Sequence, residues 1–229
     1  MRKTIIVFLT AIVSCISLAE PVKSLIGARS VANTGKKQQH VPDEYREVQF
    51  LRSDGNQYLF LGTESTSQLA LEVDVGITDR NDSKNFVAFF QYGSGRTRGG
   101  WAMSASNYII FGTGNGDTVF YTLKVGDRVV LSYANGVASV KKNGVVTSKT
   151  VGALYSGSLQ VLLLNKDRTA SHAIKGSIYQ AKVWVGGELK YDLYPCVRKS
   201  DGVAGMYNVV LGNFHANAGT GTFIVGPDF

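Results

Sequence analysis

The chain has little of what usually staples a small exported protein. It carries two cysteines, Cys15 and Cys196, and four prolines in 229 residues. Cys15 lies within an export leader, so its removal leaves Cys196 alone and no intramolecular disulfide can form. The domain must then hold itself by burial. Cys196 follows Pro195 after an apolar run, the setting of a buried, inert thiol. Scarce proline beside 26 glycines excludes Pro-rich linkers and fits one compact β domain with Gly-rich turns. Helical periodicity is nearly absent and no internal repeat occurs. No G-x-S-x-G is present, so acyl-transfer chemistry has no nucleophile elbow. The histidines are His40, His172 and His215; with His40 in the expected tail, a Cys–His pair is confined to Cys196 with His172 or His215.

Positive charge is also less than it seems. The net charge is +7, from 24 basic and 17 acidic residues. Residues 1–40 hold Arg2, Lys3, Lys23, Arg29, Lys36 and Lys37 against Glu20, which leaves 18 basic and 16 acidic residues, or +2, for residues 41–229. Arg96/Arg98 and Lys141/Lys142 are short local pairs of the kind that solvate a face, so nucleic acid is not an expected partner.

What is present begins with the leader. Arg2 and Lys3 precede an uncharged, mostly apolar stretch, Thr4 to Ala19, and Ser17-Leu18-Ala19 supplies the small residues of a cleavage site before Glu20. Sixteen such residues fall short of the about 20 a spanning helix needs, so no permanent transmembrane segment is expected. Ile12-Val13-Ser14-Cys15 resembles a bacterial lipobox, and cleavage before Cys15 is the alternative that yields a lipid-anchored protein. Glu20–His40 is polar, basic and weakly periodic and reads as a disordered linker; Val41-Pro42-Asp43 marks entry to a domain over 41–229.

Within that domain, alternating runs are broken by Asn135-Gly136, Asn143-Gly144 and Gly186-Gly187, pairs suited to type I′ hairpins. Leu69, Leu71, Val73 and Val75 alternate with Ala70, Glu72 and Asp74, giving one apolar and one polar face. Leu159–Leu164 is continuously apolar, as in a central strand. Ile174–Val185 and Glu188–Tyr194 form a long hairpin, and Val203–Val209 and Thr222–Val225 close the chain. More than ten short strands predict an all-β, two-sheet antiparallel jelly-roll sandwich, because a single sheet would leave its apolar face wet.

Three segments carry a family likeness. Glu44–Tyr58 (E-Y-R-E-V-Q-F-L-R-S-D-G-N-Q-Y), Leu193–Asn208 (L-Y-P-C-V-R-K-S-D-G-V-A-G-M-Y-N) and Asn213–Phe223 (N-F-H-A-N-A-G-T-G-T-F) resemble the opening, late and closing motifs of a domain family of bacterial exported and phage proteins. That family belongs to the concanavalin A-like lectin/glucanase superfamily, also called laminin-G-like. The likeness covers roughly Val41–Asp228. Phe60 and Leu61 stand where Asp-Thr is usual, Asn208 where Asp is usual, and His215 where Tyr is usual. The resemblance implies a non-catalytic module that is carbohydrate-binding or adhesive; it brings no binding residues with it. The residues themselves give the late and closing motifs a structural reading, with glycines at turns and Tyr207, Phe214 and Phe223 as apolar mass.

Laminarinase-type glycosidases with this jelly-roll fold carry E-x-D-x-x-E on one strand, where a retaining carboxylate pair sits about 5–5.5 Å apart. Glu72-Val73-Asp74 matches its start, but Ile77 occupies the third position, so the acid/base partner is missing. The alternative is that both carboxylates solvate an outer face. Asp79, Asn81 and Asp82 cluster hard oxygen ligands of the kind Ca²⁺ takes, with Asp117 and Asp167 in other loops; the alternative is an ordinary Asx-rich turn. For a glycan, Tyr92 or Trp101 offers a stacking ring beside Arg96 and Arg98 in a Gly-rich loop, unless both rings pack inward. Trp184 is a second stacking candidate, sharing a face with Lys182 and Gln180 by alternation. The expected function is an exported or cell-surface binding module for a glycan or extracellular surface component. Its alternatives are a protein-adhesion or structural module and, less favoured, a glycoside hydrolase.

Overall fold

In the computed structural model, Asn135 and Gly136 take φ of 49° and 78°, and Asn143 and Gly144 take 50° and 80°. Gly186 and Gly187 follow with 61° and 82°. All three pairs make the two-residue reversals that their sequence predicts, because left-handed backbone at both central positions matches the twist of the flanking strands. The structure describes residues 39–229 except 66–67, 80–84, 93–96, 105, 107, 114–115, 155–157 and 165–173. The chain divides into two units, Met1–Lys36 and Lys37–Phe229, and the described residues belong to the second.

Among the described residues the strands are β1 (Tyr45–Glu47), β2 (Leu51–Asp54), β3 (Leu59–Ser65), β4 (Ala70–Ile77), β5 (Asn85–Tyr92), β6 (Thr97–Met103), β7 (Tyr108–Thr113), β8 (Gly116–Thr122), β9 (Arg128–Ala134), β10 (Val137–Lys142), β11 (Val145–Thr150), β12 (Ser158–Leu163), β13 (Lys175–Val185), β14 (Glu188–Arg198), β15 (Ala204–Asn208), β16 (Asn213–Ala216) and β17 (Ile224–Val225). They form two antiparallel sheets. The larger runs β11-β10-β9-β4-β13-β14-β15-β16, with β1, β2 and β17 joined at its side; the smaller runs β3-β12-β5-β6-β7-β8. The fold is the all-β, two-sheet jelly-roll sandwich expected from the strand pattern.

The two inner faces share one apolar interior. Leu71, Val73 and Val75 of β4, Leu131 of β9 and Val183 of β13 meet Trp101, Phe111 and Val161 of the smaller sheet. The alternation of β4 follows directly, since successive side chains point to opposite faces and only the apolar set is buried.

Two sequence expectations need correction. The strand expected to end at Tyr194 continues through Pro195 to Arg198. Proline is tolerated there because its carbonyl accepts from Val48 N–H, where the ladder with β1 has just ended, so its missing N–H falls outside that ladder. His40, expected in the linker, packs onto the domain instead. Its ring stacks flat on Tyr194 at 4.3 Å, and its backbone N–H and Nδ1 lie 2.6 and 2.8 Å from the buried Glu47 carboxylate.

The opening and closing motifs lie against each other. Asn217 accepts from the backbone N–H groups of Tyr58 and Gly219 and donates to the Gly221 carbonyl. Ala218 N–H donates to Tyr58 O, and Thr220 N–H to Asn56 O. A Cβ on Gly219 would stand 2.1 Å from Asn56 O, so only glycine allows this approach. Asn208 is fully buried and uses both ends of its amide: it accepts from Asp192 and Val210 N–H and donates to Lys190 O.

Candidate functional site

Directly paired strand residues share a face, so the register of the larger sheet defines what it presents to solvent. One row crosses six strands as Asp192, Lys182, Glu72, Ser132, Ser139 and Ser148. Nearer one end, Leu189 pairs with Trp184 and Trp184 with Ala70, and Ala134, Val137 and Thr150 continue that more apolar row. On the other side lie Gln180, Asp74, Val130, Lys141 and Val146. With strands about 4.8 Å apart, the polar row is about 24 Å long. It is lined with donors and acceptors beside one indole.

Charges on this face are mostly matched. Arg128 donates through Nε and Nη2 to Asp74 at 2.9 and 2.8 Å, and its guanidinium stacks 3.7 Å over the Tyr179 ring. Gln180 donates to Asp192 at 2.8 Å, with Lys182 Nζ 3.8 Å from the same carboxylate. Ser139 and Ser148 hydroxyls are 2.8 Å apart. Glu72 differs. Among the described residues no donor is hydrogen-bonded to it, and partial burial raises its pKa against the opposing pull of Lys182. It is a carboxylate on this face with acceptor capacity to spare.

The sequence candidates separate clearly. Trp184 is half-buried on the outer face with Lys182 and Gln180, as alternation indicated. Trp101 is corrected: it is 0% exposed, wedged between Phe111 and Phe120 at ring distances of 5.2 and 5.0 Å, and cannot stack on an external ligand. Its inward direction follows from β6 pairing, which places it opposite buried Ala88 and Phe111. Arg96 and the side chains of Tyr92 and Arg98 lie outside the described residues. Asp79 is exposed, with its carboxylate 3.3 Å from Lys175 Nζ, while Asn81 and Asp82 lie outside the described residues. Among the described residues no group of three His, Cys, Asp or Glu could hold a metal ion. Glu72 and Asp74 share the outer face, whereas Ile77 is buried in the interior. His172 lies outside the described residues, and His215 sits on β16 at the margin of the larger sheet. The serine row was missed although its signal was present, since two-residue turns at Asn135-Gly136 and Asn143-Gly144 set Ser139 opposite Ser132 and Ser148. Asp192 was hidden, because the β14 bulge shifts its pairing by one residue.

No protein-family model and no curated protein sequence matches the chain. Among solved structures it is similar to the native heptameric SAP-like pentraxin from Limulus polyphemus, with 13% identity and a TM-score of 0.49 over 82% of this chain and 98% of that one. It is also similar to Trypanosoma rangeli sialidase in complex with sialic acid, with 12% identity and a TM-score of 0.42 over 52% of this chain. The chain spans only 21% of that sialidase. A third likeness is to Scytalido-glutamic peptidase, with 11% identity and a TM-score of 0.38 over 59% of this chain and 83% of that one. At these levels none of them assigns a site, substrate or metal here.

Proposed function

We propose that this chain is an exported, non-catalytic module that binds a hydroxyl-rich, uncharged glycan across the outer face of its larger sheet. The observation that carries the reading is the six-strand row from Asp192 to Ser148 beside the Trp184 indole. Carboxylates and serines suit sugar hydroxyls, and an indole suits the apolar face of a pyranose. The near balance of charge, with Glu72 unmatched by a hydrogen bond, disfavours an anionic ligand. With Ile77 in the position of a general acid/base, hydrolysis is not part of the proposal.

The leader Arg2–Ala19 supports export, to the medium or, by way of Cys15, to a lipid-anchored position at the cell surface. Among the described residues no helix is long and apolar enough to cross a membrane. Calcium at Asp79 has no support beyond the loop's composition.

A glycan array probed with the mature chain tests the reading. Binding to neutral glycans that is lost in Trp184→Ala and weakened at least tenfold in Glu72→Gln is expected. Absence of binding, or equal binding by Trp184→Ala, overturns it. One observation favours a second reading, adhesion to protein. The edge strand β11 presents Val145 and Val146 at 68% and 50% exposure, an open edge onto which an extended segment could add.

A further inference from the structure

A largely buried polar cluster links the two sheets along the side where β3 ends the smaller sheet, next to the Asp192 end of the proposed binding row. Tyr191 Oη lies 2.9 Å from the Leu61 carbonyl and 2.6 Å from Glu64 Oε1, and Lys190 Nζ lies 2.6 Å from Glu64 Oε2. His215 of β16 sits edge-on to the Tyr191 ring at 5.9 Å. One of its ring nitrogens hydrogen-bonds the backbone of Phe60, while Nε2 is shielded from solvent and has no partner among the described residues.

Two bulges build this cluster. In β3, Gly62 pairs with Val161 and Phe60 with Leu162, which leaves Leu61 out of the ladder and its carbonyl open to Tyr191. In β14, Tyr191 pairs with Val183 and Leu189 with Trp184, which leaves Lys190 out and turns it toward Glu64. Bulges re-aim side chains in this way.

We propose that this seam is an acid-sensitive latch: the uncharged His215 ring fits between β16 and β3, and its protonation opens that side of the sandwich. The new Nε2 proton would have no acceptor among the described residues. Among the described residues the ionisable group against the ring is Tyr191 of β14, and beyond it the Glu64 carboxylate of β3 is already taken by Tyr191 and Lys190. From β15 the cross-strand neighbour is the apolar Met206. Burial lowers the His215 pKa, only partly offset by the Phe60 hydrogen bond. The unfolded ring therefore takes up its proton first. Stability from this site is complete above about pH 6.5 and is lost as the pH falls from there toward the folded value.

The inference stands apart from the glycan reading, because its test involves no ligand. Hydrogen exchange of the mature chain at pH 7 and pH 5, corrected for intrinsic rates, reads protection in β3, β16 and the β9–β10 hairpin. Protection of β3 and β16 is expected to fall about tenfold, with the hairpin unchanged. His215→Phe is expected to abolish the change; His215→Gln serves if the phenylalanine variant does not fold. Equal protection at both pH values overturns the proposal. So does a loss shared evenly with the hairpin, or one that persists in a folded His215 variant.

Discussion

Removing the Tyr191 hydroxyl tests whether one phenol couples the sheets. Tyr191 is 4% exposed, and its hydroxyl reaches both the bulge-freed Leu61 carbonyl and the buried Glu64 carboxylate. A hydrogen bond to a charged group contributes about 1.5–3 kcal/mol, and a buried carbonyl left unsatisfied costs about 1–3 kcal/mol. The hydroxyl has one proton for two acceptors, so these do not add in full, and Tyr191→Phe should cost about 2–4 kcal/mol. With a slope of about 2 kcal/mol per M, the urea midpoint falls by about 1–2 M. A melting midpoint about 5–12 °C lower corresponds for a domain of this size. Adding Glu64→Gln completes a double-mutant cycle, in which a coupling of about 1 kcal/mol or more is expected. Alkali provides a second axis. Burial, and then the Glu64 hydrogen bond, hold the Tyr191 phenol well above its usual 10.0. The folded chain keeps this proton where the unfolded chain releases it. The contribution is thus whole below about pH 10 and declines as the pH rises further. Tyr191→Phe should remove that decline. A urea midpoint within about 0.2 M of the parent, with no cycle coupling, refutes the reasoning.

Gly219→Ala should lose about 1–3 kcal/mol in the same urea assay, because its Cβ would press on Asn56 O and the Tyr58 ring; an unchanged midpoint counts against the interlocked motifs. Cys196 is fully buried, and burial first of all pushes its thiol up to about 12, so a thiol reagent at pH 8 should label it only in denaturant. Rapid labelling of the native chain would contradict that burial.

Much of the architecture is legible without coordinates. Asn135-Gly136 and Asn143-Gly144 demand left-handed turns, and Leu71, Val73 and Val75 demand a covered face, whatever surrounds them. The candidate site was legible in pieces, as one face of β13 and as the serines of the two Asn-Gly hairpins. Alternation puts Trp184, Lys182 and Gln180 together, but their neighbours Glu72 and Asp192 come from strands over a hundred residues apart in sequence. Trp101 shows the limit from the other side. A tryptophan beside a Gly-rich loop reads equally as a stacking platform or a core residue, and only its pairing with Phe111 decides. The seam was hidden for a further reason: each bulge shifts the two-residue period by one, so Glu64 and Lys190 point where unbroken alternation would not send them.

Local chemistry along the chain therefore determined the reversals, the strand faces and the reliance on burial without a disulfide, because each depends on a few adjacent side chains and their backbone preferences. The tertiary structure alone decided which strands not joined by a tight turn became neighbours. With that it decided that Trp101 is core, that a polar row runs from Asp192 to Ser148, and that His215 meets Tyr191 across the seam. Pairing between distant strands is settled by the whole apolar interior closing at once, and no short segment carries that information.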